Sequence, residues 1–157
     1  MRRVAAILGT AAVVLMTASV FAQAPNFAGK WTADAEKNAA AMGGGGGGRG
    51  GMMGGEMTIA QDAKTLTITR TTQAGEIKTV YNLDGTESKN MMAGRGGGEP
   101  VEQISVAKWD GAKLTITTGQ NVAVYAMDGA WLTIATTRPG RGGGEATTTT
   151  LYYKKAQ

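Results

Sequence analysis

The chain has no cysteine and no histidine among its 157 residues. Without cysteine there is no disulfide, no thiolate metal ligand and no acylated N-terminal cysteine, so stability must come from burial and a closed hydrogen-bond network. Without histidine the commonest general base, the commonest metal ligand and the usual pH switch are missing together. Ser88 and Ser105 therefore have no imidazole to activate them. Charge excess is also small. The formal +4 includes Arg2 and Arg3, and the rest of the chain sets 14 basic against 12 acidic side chains, too mild a balance to imply a polyanionic partner.

Only one long hydrophobic run is present. Arg2 and Arg3 precede an uncharged stretch from Val4 to Val20, the order of a secretory signal. Ala22, with Val20 two positions before it, suits signal peptidase. Residues 1–22 are expected to be a signal peptide, and the mature protein to begin at Gln23 in the periplasm or outside the cell. An uncleaved anchor is the competing reading, since about 17 to 25 apolar residues span a bilayer, but Gly9, Thr10, Thr17 and Ser19 weaken the run. The mature chain offers no membrane span. Its length, residues 23–157, suits a single domain.

Glycine is abundant, with 25 residues, and most of them fall in three tracts: Gly43–Gly55, Gly94–Gly98 and Gly140–Gly144. Ordering a residue costs about 1 to 2 kcal/mol of backbone entropy, and glycine has no side chain to bury in return. The tracts are expected to be loops, with 43–55 the most flexible. Elsewhere Gly85, Gly111 and Gly129 each follow an aspartate, the chemistry of tight hairpin turns.

Between these turns the sequence alternates with period two and is rich in threonine and β-branched residues. The pattern predicts strands at Met57–Ile59, Thr65–Thr69, Ile77–Leu83, Val101–Trp109, Lys113–Thr117, Asn121–Met127, Trp131–Thr137 and Thr147–Tyr153. Gly29–Trp31 starts a ninth, and Asp34–Met42 suits a short helix. The fold class is all-β, an antiparallel up-and-down meander of eight or nine strands that rolls into a barrel to protect its edges. Leu66 and Ile68, Leu114 and Ile116, and Leu132 and Ile134 are expected to face inward. The same pattern fits a filled core or a ligand cavity.

Gly29-Lys30-Trp31, the run Lys108-Trp109-Asp110-Gly111-Ala112-Lys113-Leu114 and the closing Leu151-Tyr152-Tyr153-Lys154 resemble segments of small secreted bacterial lipocalin-like proteins. Gly-x-Trp is similar also to avidin-type barrels. The resemblance implies an up-and-down barrel in which Trp31, following Gly29, closes the base, with Lys154 or Lys155 packing over its ring. It also implies an apolar or amphipathic small-molecule ligand. Tyr81, Trp109, Tyr125, Trp131 and Tyr153 are the aromatic candidates for its wall or mouth.

Other chemistries fit less well. The tracts around Arg49, Arg95 and Arg141 have an RGG-like composition, but they lack interleaved aromatics and export removes them from nucleic acid. If alternate connections emerge at one end of a barrel, these arginines would form an open rim for an anion. No tract has the Gly-Lys-Ser/Thr of a phosphate loop. Met52, Met53, Met91 and Met92 are soft ligands that suit Cu(I), a further alternative. Asp84, Asp110 and Asp128 are occupied in turns, so the expectation is a non-enzyme without a cofactor. It either binds a small apolar molecule or acts as an envelope or matrix interaction protein with a filled barrel, in which case a cavity of about 300 Å³ or more would be absent.

Overall fold

Threonine-rich alternation becomes ten antiparallel strands in the computed structural model, which describes residues 24–41, 55–72, 75–92, 94 and 98–156. The expected signal peptide and the segment holding Met52 and Met53 lie outside the described residues. The strands are β1 (Gly29–Ala33), β2 (Met57–Gln61), β3 (Thr65–Thr72), β4 (Gly75–Asn82), β5 (Glu87–Met92), β6 (Val101–Asp110), β7 (Lys113–Thr118), β8 (Asn121–Asp128), β9 (Trp131–Arg138) and β10 (Thr147–Lys155). A helix, α1 (Ala35–Ala41), follows β1. Its first turn is capped by Asp34, whose Oδ1 accepts from the Lys37 N–H at 2.8 Å, satisfying a donor that the helix itself cannot.

Each strand pairs with its sequence neighbour, and β1 also pairs with β10, setting Trp31 opposite Lys155. The sheet thus closes on itself except between β4 and β5, its two ends. There, side chains replace the ladder. The Val80 N–H donates to Asn90 Oδ1 at 2.8 Å and Asn90 Nδ2 donates back to the Val80 carbonyl at 2.9 Å. Two residues further along the same seam, the Asn82 N–H donates to Ser88 Oγ at 2.7 Å. An asparagine amide carries the same donor and acceptor as a peptide group, so Asn90 supplies what a paired strand would.

The count exceeds the expected eight or nine strands because β5 has no aliphatic alternation. Its inward positions, Ser88 and Asn90, are buried and polar. The seam requires polar groups there, and this erased the pattern by which a strand is recognised.

The antiparallel order sorts the connections. At one end lie β2–β3, β4–β5, β6–β7 and β8–β9, with the four aspartates Asp62, Asp84, Asp110 and Asp128. Gly111-Ala112 and Gly129-Ala130 are two-residue loops in which only the glycine has positive φ (56° and 60°), the II′ arrangement that matches strand twist. The paired aspartate is the last strand residue rather than a loop residue. Hydrogen bonds from the Lys64 and Thr65 N–H groups and the Thr65 hydroxyl hold the Asp62 carboxyl below the usual carboxylate range.

The opposite, open end receives the connections β1–β2, β3–β4, β5–β6, β7–β8 and β9–β10. All three glycine tracts belong to these connections.

The core is concentrated toward the turn end. Phe27, Trp31, Leu66, Leu114 and Leu132 are fully or almost fully buried there. Phe27 precedes β1 and inserts into the barrel floor, stacking on Trp109 with ring centroids 5.7 Å apart. Its main chain is anchored as well. The Phe27 N–H donates to Gln61 Oε1, and the Phe27 carbonyl accepts from Trp31 Nε1, both at 2.8 Å. Trp31 and Phe27 thus close the base together.

Lys155 lies over the Trp31 ring, 5.6 Å from its centroid. Lys154, the alternative for that place, points to the other face and pairs with Asp34 at 3.9 Å. Direct pairing of Trp31 with Lys155 decides this, because neighbours in a strand face opposite ways.

Candidate binding site

Above the aromatic floor, the inward positions change character. Along β3 the inward series Leu66, Ile68 continues to Arg70, and along β9 Leu132, Ile134 continues through Thr136 to Arg138. Both arginines stand toward the open end. With Ala123 and Tyr125 of β8 and Leu151 and Tyr153 of β10, they line a cavity of about 200 Å³. This is smaller than the 300 Å³ expected of a full ligand pocket. Aromatic rings fill the space beneath it, with Phe27 6.3 Å from Tyr125 between ring centroids.

The cavity has an apolar wall and a cationic one. Ala123, Ile134 and Leu151 supply the first; Arg70 and Arg138 supply the second, with Thr136 and the two tyrosines between. Arg70 donates to Met57 Sδ at 3.8 Å, a neutral acceptor, and its charge acts on the Tyr125 phenol. Among the described residues no carboxylate lies within ion-pair distance of Arg70 or Arg138, and no inward strand position carries Asp or Glu. Burial pushes the Tyr125 and Tyr153 phenols up from their ordinary value, with the Arg70 charge opposing it. Both are therefore neutral hydrogen-bond groups around neutral pH.

Of the five aromatic candidates, Tyr125 and Tyr153 line this cavity. Trp109 sits below, in the floor with Phe27, and Tyr81 packs on the core from β4 without lining the cavity. Trp131 is elsewhere. Its parity is opposite to that of Leu132, which places it on the outer surface, with Lys37 Nζ 4.7 Å above its ring and 5.0 Å from that of Tyr152. Helix α1 is held on that side by Asn38, which bonds both the N–H and the carbonyl of Tyr152.

Met91 and Met92 are consecutive in β5, so their side chains leave opposite faces of the sheet and do not converge on one ion. Among the described residues no group of three or more acidic side chains forms a metal cluster. Nor is any helix among them long and apolar enough to cross a membrane.

Comparison with known proteins bears on the fold. No family model and no curated protein sequence matches. Solved structures do. Zebrafish ileal bile acid-binding protein complexed with cholic acid aligns at a TM-score of 0.60 and 20% identity, over 83% of this chain and 98% of that one. Human cRBP IV gives 0.59 and 17%, over 84% and 99%. A mutant of a fatty acid transporter gives 0.57 and 13%, over 82% and 97%. The chain thus shares the lipocalin-like, nearly closed β-barrel of these binding proteins.

Proposed function

We propose that this barrel is an exported, non-catalytic binding protein for a small amphipathic anion. One observation carries the reading: a cavity at the open end sets two guanidinium groups and two neutral phenols against an apolar wall, with no carboxylate to neutralise the charge. Arginine presents a fixed fork of donors to an oxyanion, and Ile134, Leu151 and Ala123 supply the surface for an apolar stem. The bile acid and fatty acid in the names of the similar structures are amphipathic anions too, and this supports the reading. The cavity volume implies a compact ligand, or one whose apolar part extends into the mouth.

Isothermal titration with octanoate and with octanol tests it. Octanoate binds, octanol binds at least tenfold more weakly, and Arg70→Gln removes the difference, as expected for a charge-assisted hydrogen bond worth about 1.5 to 3 kcal/mol. Equal binding of acid and alcohol overturns the anion assignment. Binding of neither favours the second reading, a filled scaffold that meets its partner through its surface. The densely packed floor beneath a small cavity is the observation behind that alternative.

A further inference from the structure

The cavity contains more positive charge than a carboxylate balances. Arg70 comes from β3 and Arg138 from β9, and both line the same space of about 200 Å³. The remaining polar groups around it, the hydroxyls of Tyr125, Tyr153 and Thr136, are neutral donors and acceptors. Tyr81 on β4, paired with Leu66, brings a further phenol to the interior. Both arginine side chains are exposed at the mouth of the cavity, and a monoanion seated here would leave one guanidinium without a charged partner. A dianion leaves none.

Donor geometry points the same way. Each guanidinium has five N–H groups in a planar fork, and two forks approaching from different strands suit an anion whose oxygens point in three directions better than the coplanar pair of a carboxylate. A phosphoryl group carries three terminal oxygens and, above a second pKa of about 6, nearly two negative charges. Built on the binding function proposed above, the geometry points to a phosphomonoester with a short apolar stem as the ligand class, its phosphoryl group held between Arg70 and Arg138 and its stem on Ile134 and Leu151.

Because arginine keeps its charge throughout and Tyr125 and Tyr153 stay protonated near neutrality, the group that titrates between pH 5 and 8 among those lining this cavity and its ligand is the ligand's own phosphate. This gives the proposal a signature that neither shape nor hydrophobicity reproduces. Octyl phosphate, octyl sulfate and octanoate share a chain. The first and second share three terminal oxygens, and the second and third share a single charge.

Titration calorimetry of the purified chain is expected to show octyl phosphate binding about tenfold or more tightly than either competitor at pH 8, the scale of one added charge-assisted contact. The advantage shrinks toward pH 5, where the phosphate is a monoanion, while octyl sulfate stays flat. Arg138→Gln brings phosphate and sulfate level at pH 8 without changing the far-ultraviolet circular dichroism. The comparison of ligands on the unmodified chain stands whatever the variant does.

Sulfate matching phosphate at both pH values overturns the dianion assignment, as does octanoate binding more tightly than phosphate; either leaves the amphipathic-anion reading intact. Inorganic phosphate binding as tightly as octyl phosphate overturns the stem on Ile134 and Leu151. If no anion binds at all, the binding function itself fails.

Discussion

Tyr125 is buried against Phe27 and lines the cavity with Arg70, and Tyr153 lies in the same wall. Desolvation raises both phenols, which links them to stability with a definite sign. A group whose folded pKa lies above its unfolded one contributes stability that is complete below the unfolded value, near pH 10 for tyrosine, and is lost as pH rises toward the folded value. The melting temperature is therefore expected to fall steeply above about pH 10, and Tyr125→Phe to flatten that fall while leaving the neutral range little changed. A melting series in alkaline buffers checks it; an equal slope in both proteins would place the destabilising titration at another residue. At this scale the site was only half legible. Tyr125 and Tyr153 stand out as aromatics in alternating strands, whereas Arg70 and Arg138 follow Leu66-x-Ile68 and Leu132-x-Ile134 in the same phase. That phase was the available signal. An arginine at the end of a strand reads as a solvated terminus unless its inward parity is followed one or two steps past the last aliphatic residue.

Strands with one apolar face declare themselves by alternation, and this made nearly the whole meander readable from Thr65–Thr69 or Lys113–Thr117. Two elements escaped for a physical reason. In β5 the inward residues are bonded to the backbone of β4, so they are polar by necessity; in the N-terminal segment a single phenylalanine does the work of an element, and one residue has no period. The seam gives the sharper test. Replacing Asn90 by leucine keeps the volume but strands the Val80 N–H and carbonyl, each of which now has its only cross-seam partner in Asn90. Leaving buried backbone groups unsatisfied costs about 1 to 3 kcal/mol. Asn90→Leu should lower the urea midpoint accordingly, and hydrogen exchange at the Val80 amide should accelerate far more than at amides of β8 and β9, whose ladders stay intact. Uniform acceleration would mean that the seam opens only with global unfolding.

The whole molecule is closed by its ends. β1 pairs with β10, so Trp31 meets Lys155 and Ala33 meets Tyr153, and these are among the longest sequence separations in the barrel. The base is likewise completed from the N-terminal side by Phe27. A barrel of this kind encloses no interior until its last strand arrives, and such non-local pairing makes folding slow, typically milliseconds to seconds. It also makes a prediction about cooperativity. β10 lies between β1 and β9 in the sheet order, so deleting residues 147–157 leaves β1 to β4 as one group and β5 to β9 as another, joined only across the side-chain seam. Leu151 and Tyr153 are removed from the core as well. Neither group then encloses Phe27, Trp31 and Leu132 together, and a sheet with a solvent-exposed apolar face does not hold a unique packing. The truncated chain is expected to lose amide chemical-shift dispersion and to unfold without a sigmoidal urea transition, whereas deletion of Ala156 and Gln157 alone leaves both intact. A dispersed spectrum from the longer truncation would show that the β5 to β9 group folds by itself, and closure by β10 would then be a late docking step rather than the event that creates the core.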